Sequence, residues 1–255
     1  MEVIISGASF EETAPFLAMK VHKFVKEATA NEDPYKELKH EYNSVARELV
    51  DEMKLEETIR ISEFPFDTAC RLSIAGNIID FGLGLELDKS SVQKSINQSM
   101  KAEIFGESTK DLYQKLLVAK NIMIITDNAG EIVFDKLLVN ELDKEKITYV
   151  VKGGPIVNDA TMEDAREVGM TKLVKVIDNG AESQGTILSI CSDEFNKAFE
   201  NADIILSKGQ ANYETLSDLA DSRIHFLLRA KCQSIANNLK CHRGDFVIKN
   251  FDLSS

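Results

Sequence analysis

Ile122-Met123-Ile124-Ile125-Thr126-Asp127-Asn128-Ala129-Gly130-Glu131-Ile132-Val133 is the stretch whose reading decides the fold. Four consecutive apolar residues, too short for a helix, fit a strand buried on both faces. A polar turn follows, then the helical spacing of Ile132, Val133, Leu137 and Leu138. The same unit recurs downstream. Ile147-Thr148-Tyr149-Val150-Val151, Leu173-Val174-Lys175-Val176-Ile177, Asp203-Ile204-Ile205-Leu206, Ile224-His225-Phe226-Leu227-Leu228 and Phe246-Val247-Ile248 read as strands, with helical stretches between most of them. Short apolar strands alternating with helices predict a mostly parallel, Rossmann-like α/β sheet covered on both faces.

Upstream the texture is helical. Ala14, Leu17, Val21, Val25 and Ala28 have the spacing of one apolar helix face. Asp33-Pro34 reads as a cap and first turn of a second helix carrying Tyr35, Leu38, Tyr42, Val45, Leu49 and Met53. A third helix is expected over 66–81, and Ser90-Ser91 opens another. No strand is expected before Asn121 apart from the first few residues. The division is therefore a helical domain over 1–115 and an α/β domain over 116–255.

In such a sheet, ligands bind beyond the carboxyl ends of the strands. There the sequence places Thr126-Asp127-Asn128-Ala129-Gly130-Glu131, Lys152-Gly153-Gly154-Pro155 with Asn158-Asp159, Asp178-Asn179-Gly180 with Ser183-Gln184-Gly185-Thr186, and Ser207-Lys208-Gly209, with Arg229 and Lys231 after the fifth strand. Asp127, Asn128 and Asp159 offer hard oxygen ligands suited to a divalent ion. Lys208, beside Gly209, can reach a phosphate, and Thr186 and Ser207 can donate from hydroxyls. Each motif alone also reads as a turn or helix cap. Their convergence on one sheet edge carries the functional reading.

The formal charge of −12 over 255 residues argues against nucleic-acid binding. No apolar run approaches the ~20 residues of a membrane helix, and the N-terminus lacks a secretory pattern; a cytoplasmic protein is expected. Cys70, Cys191, Cys232 and Cys241 form no C-x-x-C pair, and the four histidines form no zinc motif. Walker and G-x-G-x-x-G loops are absent.

Asp127-Asn128-Ala129-Gly130-Glu131-Ile132-Val133-Phe134-Asp135 resembles the damage-control phosphatase family. The resemblance continues through Lys152-Gly153-Gly154-Pro155-Ile156-Val157-Asn158-Asp159-Ala160-Thr161 and Ser207-Lys208-Gly209-Gln210-Ala211-Asn212-Tyr213-Glu214, with Ala75-Gly76-Asn77-Ile78-Ile79-Asp80 upstream. It is strongest to the stand-alone archaeal and bacterial branch, whose members commonly begin with a C-x-x-C segment; the cysteines here show no such pair. The resemblance implies a metal-dependent phosphoric monoester hydrolase. Asp127, Asn128 and Asp159 would bind Mn²⁺, Co²⁺, Ni²⁺ or Mg²⁺, Lys208 would bind the substrate phosphate, and Asn77 and Asp80 would face the cleft from the helical half. The expected partner is a small phosphorylated metabolite, such as a sugar phosphate or a damaged cofactor phosphate. The oligomeric state is left open. Water attack is favoured over an aspartyl-phosphate at Asp127, because the loop lacks D-x-D spacing. A non-catalytic phosphometabolite-binding protein and an S-adenosylmethionine-dependent methyltransferase are the alternatives.

Overall fold

The computed structural model describes residues 14–77 and 89–251. Helices α1 (Ala14–Thr29), α2 (Lys36–Glu52), α3 (Leu55–Ile61), α4 (Pro65–Gly76) and α5 (Lys89–Ser99) precede the sheet region. Then follow β1 (Ile104–Gly106), α6 (Thr109–Val118), β2 (Ile122–Ile125), α7 (Glu131–Asn140), β3 (Ile147–Val151) and α8 (Met162–Glu167). The chain continues through β4 (Lys175–Asp178), α9 (Asp193–Asn201), β5 (Ile204–Lys208), α10 (Gln210–Leu216), β6 (Ile224–Arg229), α11 (Gln233–Leu239) and β7 (Phe246–Asn250).

The strands form one sheet in the order β1-β7-β6-β5-β2-β3-β4. Neighbours run parallel except β6 and β7. Strand β2 is central, with Ile122 level with Ile147 of β3 on one side and Ile204 of β5 on the other. The chain fills the β3–β4 side first and then crosses to β5 and β6. The switch point thus falls between β2 and β5, where a crevice opens beyond the strand ends.

Alternation along β2 divides the core. Ile122 and Ile124 join the cluster beneath α2, α4 and α7, while Met123 and Ile125 join Phe195, Phe199, Tyr213 and Leu216 on the other face. Full burial of each such side chain stabilises by about 1.5–3 kcal/mol. Helix α4 packs directly on α7 because Gly76 has no side chain: a Cβ there would lie 3.1 Å from the Phe134 Cβ and 3.3 Å from the Glu131 Cα. This close approach brings the polar end of α4 to the sheet edge.

Three upstream expectations are corrected. Strand β1 exists, paired with β7; its three residues are partly exposed and carry no apolar run. Asp33 does not cap α2, which starts at Lys36 after Tyr35; instead its carboxylate accepts from the Tyr35 amide at 3.1 Å and pairs with Lys39 at 2.8 Å. Helix α1 turns Pro15 and His22 inward and leaves Val21 exposed, the reverse of its apolar spacing. Among the described residues no helix is long and apolar enough to cross a membrane.

Candidate active site

Strand β2 delivers Asp127 and Asn128 to the crevice. The turn closes at Gly130, whose φ of +77° needs no Cβ penalty, and no side chain caps α7 there. The alternative reading of Asp127 and Asn128 as cap residues is thereby set aside. In the same way Thr161 opens α8, with its amide and hydroxyl both donating to Asp164 Oδ2 at 2.9 and 2.8 Å. Asn158 and Asp159 are left with no capping duty. An isolated antiparallel bridge joins Asn128 to Asp159, and the Ala160 amide donates to the Asp127 carbonyl at 2.9 Å. Asp127, Asn128 and Asp159 therefore come together as expected.

A cleft of about 340 Å³ opens over Asp127 and Asn128, lined also by Asn158, Gln184, Gln210, Glu214 and Lys231 and by Ala14 and Ala18 of α1. Its floor fits tightly: Gly209, at φ +79°, approaches so closely that a Cβ would lie 1.9 Å from Asp127 Oδ2.

Behind Asp127 lies a fully buried ionic cluster. The Asn77 carboxamide donates to Asp127 Oδ2 and Glu131 Oε2, both at 2.8 Å. Asn128 Nδ2 donates to Asp127 Oδ2 at 2.9 Å, so its side-chain carbonyl oxygen is the atom that could serve as a ligand. The Lys208 ammonium donates to Glu131, to Asp135 Oδ1 at 2.7 Å and to the Ser73 carbonyl at 3.2 Å. Asp135 also accepts from the Ser73 hydroxyl at 2.6 Å and from the Tyr149 hydroxyl at 2.7 Å. Burial pushes Glu131 up to about 7 against the pull of Lys208, with Asp127 and Asp135 adding to the rise. Burial also works against the Lys208 charge, but Asp135 and Glu131 outweigh it and hold the ammonium protonated.

Asp159 is differently served. It is 1% exposed, and among the described residues neither of its oxygens accepts a hydrogen bond of good geometry. Its polar neighbours are the Lys152 ammonium at 3.5 Å and the Gln184 side chain. Burial lifts its carboxyl to about 8, with Lys152 opposing and Asp127 adding.

These residues fit a divalent cation. Four buried carboxyl groups (Asp127, Glu131, Asp135, Asp159) stand against two buried ammonium groups (Lys152, Lys208), a formal excess of two acids that burial holds partly protonated at Glu131 and Asp159. Asp127, Asp159 and the Asn128 carboxamide would form the donor set; among the described residues no cage of three His, Cys, Asp or Glu side chains exists.

Comparison with known proteins gives the family. The damage-control phosphatase ARMT1-like domain matches residues 3–247. The chain belongs to the damage-control phosphatase family. It is 38% identical over 232 residues to a damage-control phosphatase of Pyrococcus horikoshii, spanning 90% of this chain and 77% of that one. It is 37% identical over 253 residues to a damage-control phosphatase of Archaeoglobus fulgidus, spanning 98% and 86%. The crystal structure of a DUF89 family protein from Pyrococcus horikoshii superposes with a TM-score of 0.80 at 36% identity, covering 93% of this chain and 81% of that one.

Within this damage-control phosphatase framework, the remaining expected site residues lie deeper than expected. Lys208, Asn77, Thr186 and Ser207 are all 0% exposed. The Thr186 hydroxyl donates to Asn212 Oδ1 at 2.8 Å, and the Ser207 hydroxyl has no partner among the described residues. Asp80 lies outside the described residues. The sequence reading did not single out Asp135, Lys152 or Asn212, nor give Lys231 a role in the site. For Asp135 a signal existed: Glu131 and Asp135 are one turn apart on a helix whose other inward positions are apolar.

Proposed function

We propose that the protein is a divalent-metal-dependent phosphatase that hydrolyses a monoester of a small phosphorylated metabolite. The observation that carries this reading is the convergence of buried oxygen donors: Asp127 and Asn128 line the cleft, and Asp159, bridged to Asn128, lies behind them without a hydrogen bond of good geometry among the described residues. The family relationship supplies the reaction class. When bound, the metal supplies Lewis acidity towards a phosphoryl oxygen and lowers the pKa of an attacking water. The chain's own groups do the rest. Asn77 and Asn128 hold Asp127 in place through Oδ2, which suits a ligand better than a nucleophile and favours water attack.

Lys231 is the one cation among the described residues that line the cleft, and it meets the substrate phosphate in this reading. Lys208 stands behind, with carboxylate and carbonyl acceptors for its ammonium; a phosphate would have to displace one of these. Asn158, Gln184 and Gln210 provide amide groups around the remaining oxygens.

The test is phosphate release from a panel of sugar phosphates, phosphorylated cofactor precursors and an aryl phosphate, with Mg²⁺, Mn²⁺, Co²⁺ or Ni²⁺ and with chelator. Metal-dependent release that Asp127→Ala abolishes is the expected result. Metal binding without turnover on any substrate would sink the enzymatic reading and leave a phosphometabolite-binding protein.

A further inference from the structure

Lys152 has no part in the reaction as set out above, yet it is among the largest fully buried side chains, at 2% exposed. A buried ammonium is costly unless its charge and donors are met. Here they are met by three separate segments: the Gly185 carbonyl at 2.6 Å, Asp159 Oδ2 at 3.5 Å and Asn212 Oδ1 at 3.5 Å. The Gly185 position is itself tightly fitted. Its φ is +67°, and a Cβ would lie 2.4 Å from the Ala211 carbonyl oxygen. The residue before it, Gln184, lines the cleft. The residue after it, Thr186, is tied to α10 through its amide to Thr215 Oγ1 at 2.9 Å and its hydroxyl to Asn212. On the other side, Asp159 has no hydrogen bond of good geometry among the described residues, so the Lys152 charge is its nearest cationic anchor.

We propose that Lys152 is a positioning residue whose buried ammonium ties Asp159 to the 184–186 loop, so that a metal-facing carboxylate and the cleft wall bearing Gln184 hold one relative arrangement. Its catalytic consequence rests on the phosphatase reading; its structural consequence does not. The ammonium also offsets the Asp159 charge before a metal binds, so a bound cation replaces part of what its removal takes away.

The test compares the wild type with Lys152→Met, which keeps the length and loses the charge, and with Lys152→Arg. In the metal-free proteins, Lys152→Met is expected to speed hydrogen exchange at the Thr186 amide by about tenfold while β2 and β5 amides stay protected. Added Mn²⁺ is expected to raise the Tm of Lys152→Met by more than it raises that of the wild type. With the best substrate of the panel, kcat is expected to fall by about tenfold with little change in KM, and Lys152→Arg to recover part of the loss. Unchanged exchange at Thr186 together with an equal Mn²⁺ shift would overturn the proposal. If Lys152→Met does not fold, Lys152→Gln, which keeps a donor for Gly185, carries the same comparison. A wild type that releases no phosphate with any metal would defeat the phosphatase reading, and the exchange result would still decide the role of Lys152.

Discussion

The two sides of the cleft floor are built on opposite principles. Behind Asp127, the charged groups of Glu131, Asp135 and Lys208 are met by one another, by Ser73, Asn77 and Tyr149. On the side of Asp159, neither carboxylate oxygen accepts a hydrogen bond of good geometry, and in the loops after β3 and β4 Asn158 Nδ2, Asn179 Nδ2 and the Ser183 hydroxyl are buried without a partner among the described residues. Buried polar groups are normally satisfied, and groups that are not usually face something they are built to bind. In the proposed reading the paired side is scaffold, and the underpaired side is where a ligand would complete the bonding.

The largest effect is expected on the underpaired side. Asp159→Ala should lower metal-dependent turnover on the order of 10⁴-fold, about 5 kcal/mol on the barrier, with far-UV circular dichroism unchanged. The carboxylate gives up no hydrogen bond of good geometry, but the buried Lys152 ammonium 3.5 Å away loses its counter-charge, so some stability is lost as well. A variant that loses stability but keeps metal affinity would reverse the roles assigned to the two sides. On the paired side the expectation is the opposite. Lys208→Met leaves Glu131 and Asp135 buried without their cation and should cost about 3–5 kcal/mol of stability, read from urea unfolding of the metal-free protein.

Lys231 sharpens the comparison at the cleft itself. Lys231→Ala should lower kcat/KM on the order of 10²-fold, the loss of one charge-assisted contact to phosphate. Its stability should stay within about 0.5 kcal/mol of the wild type, as for a cleft-lining side chain that supports no core. If Lys208→Met in a folded, stabilised background lost phosphate affinity and Lys231→Ala did not, Lys208 would be the phosphate group after all.

The sequence reading gives the substrate phosphate to Lys208, and the proposal above gives it to Lys231. The β2–α7–β3 unit was legible because continuous apolar runs have few alternatives, and the meeting of Asp127 with Asp159 followed from that topology. The direction of a side chain at a strand end was not. A lysine next to a glycine can turn outward to the cleft or back beneath the adjacent helix. Lys208 turns back because α7 presents Glu131 and Asp135 one turn apart on its buried face. Lys152 was read as part of a Gly-rich turn, since its partners Gly185 and Asn212 are 33 and 60 residues away. Strand β1 was missed for a related reason: pairing with β7, not local sequence, makes those three residues a strand.

The smallest effect is the most discriminating. The Tyr149 hydroxyl lies 2.7 Å from Asp135 Oδ2 and 2.9 Å from Thr126 Oγ1. Burial and Asp135 hold it protonated. With one proton to give, it donates to the carboxylate and accepts from Thr126. Tyr149→Phe removes one donor to Asp135, which keeps Lys208 and Ser73 on its other oxygen. The cost should be about 1–2 kcal/mol of stability, with kcat within about twofold of the wild type if this cluster only supports Asp127 from behind. A tenfold fall in kcat at undiminished stability would mean that the network through Asp135, Lys208 and Glu131 reaches the reacting groups. The division into a scaffold side and a ligand side would then give way to a single coupled site.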